Sequence, residues 1–82
     1  MSGLPNWYGI KGIKYRFINE WADPEIIYKG RRCSCYVVED TMWERFLEEG
    51  NPEDIDAFDA YMLEHADNVR ELCEVALFPE VV

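Results

Sequence analysis

Beyond Lys29 the chain has no lysine, and in its whole length it has one histidine, His65, and three cysteines, Cys33, Cys35 and Cys73. Each scarcity excludes something. An odd number of cysteines at these spacings matches no small secreted disulfide scaffold, so a reducing, cytosolic setting is expected. No run approaches the roughly 18 apolar residues of a membrane-spanning helix. Residues 1–14 lack the charged start and apolar stretch of a secretory leader, so neither secretion nor membrane insertion is expected. Bases are scarce as well: 8 Lys and Arg stand against 17 Asp and Glu, a formal charge of −9. That balance argues against direct binding to nucleic-acid phosphates or an anionic membrane, and points to a basic partner.

What the chain does have is apolar and aromatic side chains. Its 82 residues are 49% hydrophobic and 15% aromatic, enough for one core and too much for a disordered chain. A domain of this size hides only about 60 to 65% of its unfolded surface, which excludes a large multi-substrate enzyme. One domain over residues 1–82 is expected, with residues 1–12 as a flexible or edge-packed leading segment whose Trp7 and Tyr8 could pack onto the domain edge. There is no internal repeat and no low-complexity stretch.

Charge is unevenly distributed. Residues 1–32 hold six bases and three acids, a net of +3, whereas residues 33–82 hold fourteen acids against Arg45 and Arg70, a net of −12. The apolar pattern changes at about the same point. Over residues 13–21 the side chains alternate, with Ile13, Tyr15, Phe17 and Trp21 on one face, which predicts a half-buried strand. A break follows at Pro24. Residues 25–29 and 32–37, joined through Gly30, predict a hairpin that completes three antiparallel strands. From Val38 the period is helical: Met42, Trp43, Phe46 and Leu47 recur at three- and four-residue intervals, and Gly50 supplies a left-handed stop. Asn51 as cap and Pro52 at the first position predict a second helix over 52–65 that buries Ile55, Phe58, Tyr61 and Met62. Asp67 is expected to cap a third helix that buries Val69, Leu72, Cys73 and Ala76 and stops before Pro79. The fold class is therefore α+β, a small three-stranded antiparallel sheet followed by three helices.

Catalytic and metal chemistry have few candidates. Cys73 and His65 could form a nucleophile and base, yet Cys73 falls on the apolar face of its helix, where a small hydrophobe is wanted. Cys33, Cys35, His65 and Cys73 equal in number the ligands of a zinc site, at spacings that match no known zinc motif. On a strand, Cys33 and Cys35 would share a face and could simply pack inward. No calcium loop occurs, and Gly9, Lys11 and Gly12 fall short of a phosphate-binding loop. No cofactor is expected.

The acidic helices stand out. Thirteen carboxylates lie outside the apolar stripes, from Glu39 to Glu74, without the interleaved lysines of an ordinary solvated helix. Like charges at helical spacing repel, and carboxylates on successive turns stand ~5 to 6 Å apart, a dense row of negative charge comparable in kind to the phosphates of DNA. A groove built to hold nucleic acid could accept such a face. The alternative is that the charge only keeps the protein soluble. Trp7, Tyr8, Trp21 and Tyr28 could include an exposed anchor for a partner.

The segments Glu20-Trp21-Ala22-Asp23-Pro24-Glu25 and Val38-Glu39-Asp40-Thr41-Met42-Trp43-Glu44, with Phe58-Asp59-Ala60-Tyr61 leading on to Val69-Arg70-Glu71-Leu72, resemble a group of small acidic proteins encoded by bacteriophages and other bacterial mobile elements. That group includes anti-CRISPR proteins, several of which act as DNA mimics. The resemblance implies an inhibitor in the cytoplasm of a bacterial host, whose acidic helical face docks on the positively charged nucleic-acid-binding surface of a CRISPR effector complex. It supplies no site residues. On charge and position, the expected contact residues are Glu44, Glu48, Glu49, Glu53, Asp54, Asp56 and Asp59, with no enzymatic activity. Two alternatives stand beside this reading: a non-catalytic adaptor that binds a protein through its sheet and aromatics, and a small zinc protein. The chain could be a monomer, or a dimer paired through the hairpin at residues 28–36.

Overall fold

The computed structural model describes residues 4–81. It is an α+β fold: a three-stranded antiparallel sheet followed by three helices. A 3-10 turn over Asn6–Gly9 precedes β1 (Ile13–Arg16), β2 (Glu25–Tyr28) and β3 (Arg31–Ser34), which pair in the order β1-β2-β3. Then come α1 (Tyr36–Glu48), α2 (Ile55–Glu64) and α3 (Ala66–Leu77).

The β2–β3 connection is two residues, Lys29 at φ 50° and Gly30 at φ 83°. Positive φ at both central positions is what a type I′ hairpin turn requires. The register sets Ile13 opposite Tyr28 and Ile26 opposite Cys33. Ile13, Ile26 and Tyr28 are buried beneath the helices, while Lys14, Arg16 and Arg32, in the alternate positions, are exposed. Each strand is only four residues long. The predicted strand over 13–21 is thus cut at Arg16, where the partner strand ends at Glu25. Phe17 leaves the core face, and Trp21 is 87% exposed.

Cys35 ends the sheet. Its N–H still donates to Pro24 O at 2.8 Å, in register with the ladder, but Pro24 has no N–H to return and the Cys35 backbone is already helical. Tyr36 and Val37, expected on β3, therefore begin α1, and Cys33 and Cys35 do not share a strand face. Val38, Met42 and Phe46, spaced by four, form the buried stripe of α1. Gly50, at φ 87°, terminates it as expected.

Two caps differ from expectation. Asn51 does not start α2; its side-chain amide donates to Phe46 O at 2.9 Å, closing the end of α1. Asp54 is the cap, accepting from Asp56 N at 2.8 Å and Ala57 N at 3.2 Å, since a carboxylate is the stronger acceptor at the positive end of a helix. Moving the start from Pro52 to Ile55 turns Ile55 outward, to 78% exposure, while Phe58, Tyr61 and Met62 are buried as expected. At the next junction α2 runs almost directly into α3. His65 occupies the cap position, and Asp67, in the first turn, pairs with Arg70 instead of capping.

One core joins these elements. Trp7, 1% exposed, lies in it with Ile26, Val38, Met42, Phe46 and Met62, so the leading segment contributes a central side chain. Tyr8 stacks on Tyr15 with ring centroids 4.0 Å apart. Of the leading segment 1–12, residues 1–3 lie outside the described residues.

Candidate functional site

The end of α1, the link at residues 49–54 and the start of α2 carry the seven carboxylates named from the sequence. Residues 44–59 hold seven acids and one base, Arg45, a net of −6. Because these positions are contiguous, the fold keeps them together, and six of the seven are exposed. The seven are not equivalent. Asp54 is committed to its cap, and Glu49 accepts the phenol of Tyr61 at 2.8 Å. Asp59 is half-buried and accepts the backbone N–H groups of Asn6, at 2.9 Å, and Trp7, at 2.8 Å. It therefore anchors the leading 3-10 turn to α2. Glu44, Glu48, Glu53 and Asp56 have no such internal duty among the described residues.

Counter-charges lie elsewhere. Among the described residues, three ion pairs form: Lys29 with Glu74, Arg31 with Glu80 and Arg70 with Asp67. All three acids belong to α3 or follow it, and none of the seven has a base of the described residues within ion-pair distance. Glu48 and Glu49 also sit at the carboxyl end of α1, where the helix dipole disfavours negative charge, and Asp40, Glu44 and Glu48 repel at i, i+4 spacing. The fold thus holds a concentrated, unneutralised negative charge at this end. The outer face of the sheet, with Lys14, Arg16 and Arg32, is a separate basic region.

The other candidates resolve differently. Cys35 and Cys73 are buried and Cys33 half-buried, all as free thiols. Burial pushes both Cys35 and Cys73 up to about 12, so each stays protonated and weakly nucleophilic at neutral pH. His65 packs its ring on Tyr61, centroids 4.4 Å apart, and shares no hydrogen bond with Cys73 among the described residues. No three of His, Cys, Asp or Glu among the described residues come together in an arrangement that could hold a metal ion. No described helix is long and apolar enough to cross a membrane. Of the four candidate aromatic anchors, Trp21 is the exposed one; Trp7 and Tyr28 are buried and Tyr8 is half-buried.

Sequence reasoning missed a groove beside the acidic end. Glu39, Asp40 and Trp43 from α1 face Ile55 and Phe58 from α2 across it. The local signal was present, since Trp43 lies four residues after Glu39 and three after Asp40, on one side of a helix. What placed Ile55 opposite them was the shifted start of α2, which the sequence pattern did not show. No protein-family model, curated protein or solved structure matches the chain.

Proposed function

We propose that this protein is a non-enzymatic inhibitor that seats the acidic end formed by α1 and α2 on a positively charged nucleic-acid-binding surface of another protein, in the place of DNA. The observation that carries the reading is the separation of charge: of the bases of the first third, Lys29 and Arg31 pair with Glu74 of α3 and Glu80 after it, Lys14, Arg16 and Arg32 lie on the outer face of the sheet, and the carboxylates of residues 44–56 keep no counter-ion among the described residues. A dense row of fixed negative charge steers association with a basic channel and binds there by displacing counter-ions, as a phosphate backbone does. The resemblance to small acidic phage proteins makes the target a CRISPR effector complex in a bacterial cytoplasm. The protein itself touches neither nucleic acid nor membrane in this reading.

Glu44, Glu48 and Glu53 are exposed and free of structural duties, so they report on binding alone. The wild-type protein is expected to compete with target DNA for the effector, less well as salt rises. The variant combining Glu44→Lys, Glu48→Lys and Glu53→Lys is expected to keep its circular dichroism spectrum and lose competition. Equal competition by this variant would sink the proposal. A second reading, a protein adaptor, rests on the β1–β2 loop, which exposes Trp21 at 87% and Phe17 and Ile18 at 52% each. Contacts through such a patch would survive high salt and fail on Trp21→Ala.

A further inference from the structure

The groove between α1 and α2 has a volume of about 220 Å³ and is open to solvent. That is below the roughly 300 to 1,000 Å³ of pockets that enclose small molecules, so its size suits one side chain of a partner better than a metabolite. One part of the lining is apolar, made by Trp43, Phe58 and Ile55; the other is acidic, made by Glu39 and Asp40. We propose that this groove receives an arginine side chain of the basic partner, its stem along Ile55 and its guanidinium stacked on Trp43 and paired with Glu39 and Asp40. The inference rests on the reading above in that the partner is taken to be basic, and it adds a specific anchor to what would otherwise be diffuse charge attraction.

Four observations favour that occupant. Trp43 is held by an edge contact with Phe58, centroids 5.0 Å apart at 86°, and a tilted contact with Phe46 at 5.4 Å, so its orientation needs no ordering on binding. Ile55, at 78% exposure, stands uncovered between Asp54 and Asp56. No base of the described residues pairs with Glu39 or Asp40, which leaves the charge complement to a partner. Burial, with Asp40 close by, holds the Glu39 carboxyl above the usual carboxylate range, and a cation seated beside it would favour its charged form. Arginine fits better than lysine, because a planar guanidinium can stack on an indole and pair with a carboxylate at once.

The test uses the full chain, isotopically labelled, titrated with a short peptide of alternating glycine and arginine while the Trp43 indole N–H resonance is followed by NMR. The expected result is a saturable shift at Trp43, weaker with the lysine counterpart and absent with the uncharged citrulline one. Ile55→Lys, which puts a cation of the protein's own at the mouth of the groove, should weaken arginine-peptide binding about tenfold without disturbing the fold, since this position is exposed. Trp43 also packs in the core, so its replacement is not used. Shifts confined to Glu44, Glu48 and Glu53, with Trp43 still, would overturn the groove while leaving the acidic end as a binding surface. An equal shift with the citrulline peptide would also overturn it. Conversely, a Trp43 shift joined to an effector indifferent to the triple lysine variant would uphold the groove and overturn the DNA-mimic reading.

Discussion

Two acidic regions of this protein, each built from helix, use their carboxylates in different ways. Around α3, Glu74 accepts from Lys29 at 2.9 Å and from the Tyr28 phenol at 3.2 Å, Asp67 pairs with Arg70, and Glu80 pairs with Arg31. Three of these contacts bind the carboxyl-terminal helix and the residues after it to the β2–β3 hairpin. At the α1–α2 end the seven acids of residues 44–59 meet only Arg45, and no ion pair forms among the described residues. Composition alone makes the two regions look alike. The difference is set by where the fold delivers the few bases of the first third: Lys29 and Arg31 reach α3 and the residues after it, while Lys14, Arg16 and Arg32 stand on the outer face of the sheet, and none of these pairs with the acids of α1 and α2. Charge matched internally is structural, and charge left unmatched at a cost in repulsion is available to a partner.

The sharpest way to break this comparison is Asp59, which belongs to the acidic end by sequence and to the structural acids by contact. Asp59→Ala removes an ionised acceptor from the N–H groups of Asn6 and Trp7 and is expected to cost ~2 to 3 kcal/mol in urea unfolding. A cost within the noise of a surface substitution would return Asp59 to the free set. Arg31→Ala comes next. It loses a bond to Leu77 O at 2.7 Å and the stacking of its guanidinium on Phe78 at 4.2 Å, for an expected ~1 to 2 kcal/mol. The triple lysine variant at Glu44, Glu48 and Glu53 should move the other way. Relief of repulsion should raise stability by about 1 kcal/mol at low salt, a gain that fades as salt screens the surface. A loss of stability there would mean that those carboxylates hold the fold together.

Much of this arrangement was legible in the chain, and what was hidden was non-local. Met42 and Phe46 of the α1 stripe, the Gly50 stop and a hairpin turn through Gly30 are local patterns found where periodicity and backbone preference put them, although Lys29, expected on the strand, is the first turn residue. The acidic end was legible for the same reason, being one run of sequence. Trp21 misled because strand alternation continues through Phe17, whereas strand length is set by the partner: β2 has only four residues to pair. Asn51 and Asp54 are both competent caps, and the choice fell to the charged one once Asn51 found the open carbonyl of Phe46. That three-residue shift is why Ile55 is exposed and why the groove beside Trp43 escaped sequence reading. The pairing of Lys29 with Glu74 spans 45 residues and could not be read from spacing at all.

The smallest expected effect puts the same comparison in terms of pH. The hydrogen bond from Lys29, with a second from Tyr28, holds the Glu74 carboxyl below the usual carboxylate range. Its contribution is therefore complete above the pKa of an unfolded glutamate and lost as pH falls through the depressed folded value. Burial and the neighbouring Asp40 hold Glu39 above that range, so the folded state binds its proton more tightly than the unfolded chain does. Ionising Glu39 therefore costs stability as pH rises through its folded pKa. Glu74→Gln should lower the melting temperature at neutral pH, Glu39→Gln should raise it, and both differences from wild type should shrink toward zero on acidification. Thermal unfolding followed across the carboxylate range checks both signs in one experiment. If Glu39→Gln were destabilising at neutral pH, Glu39 would already hold a cation of this chain, and the acidic wall of the groove would belong with the matched charges of α3.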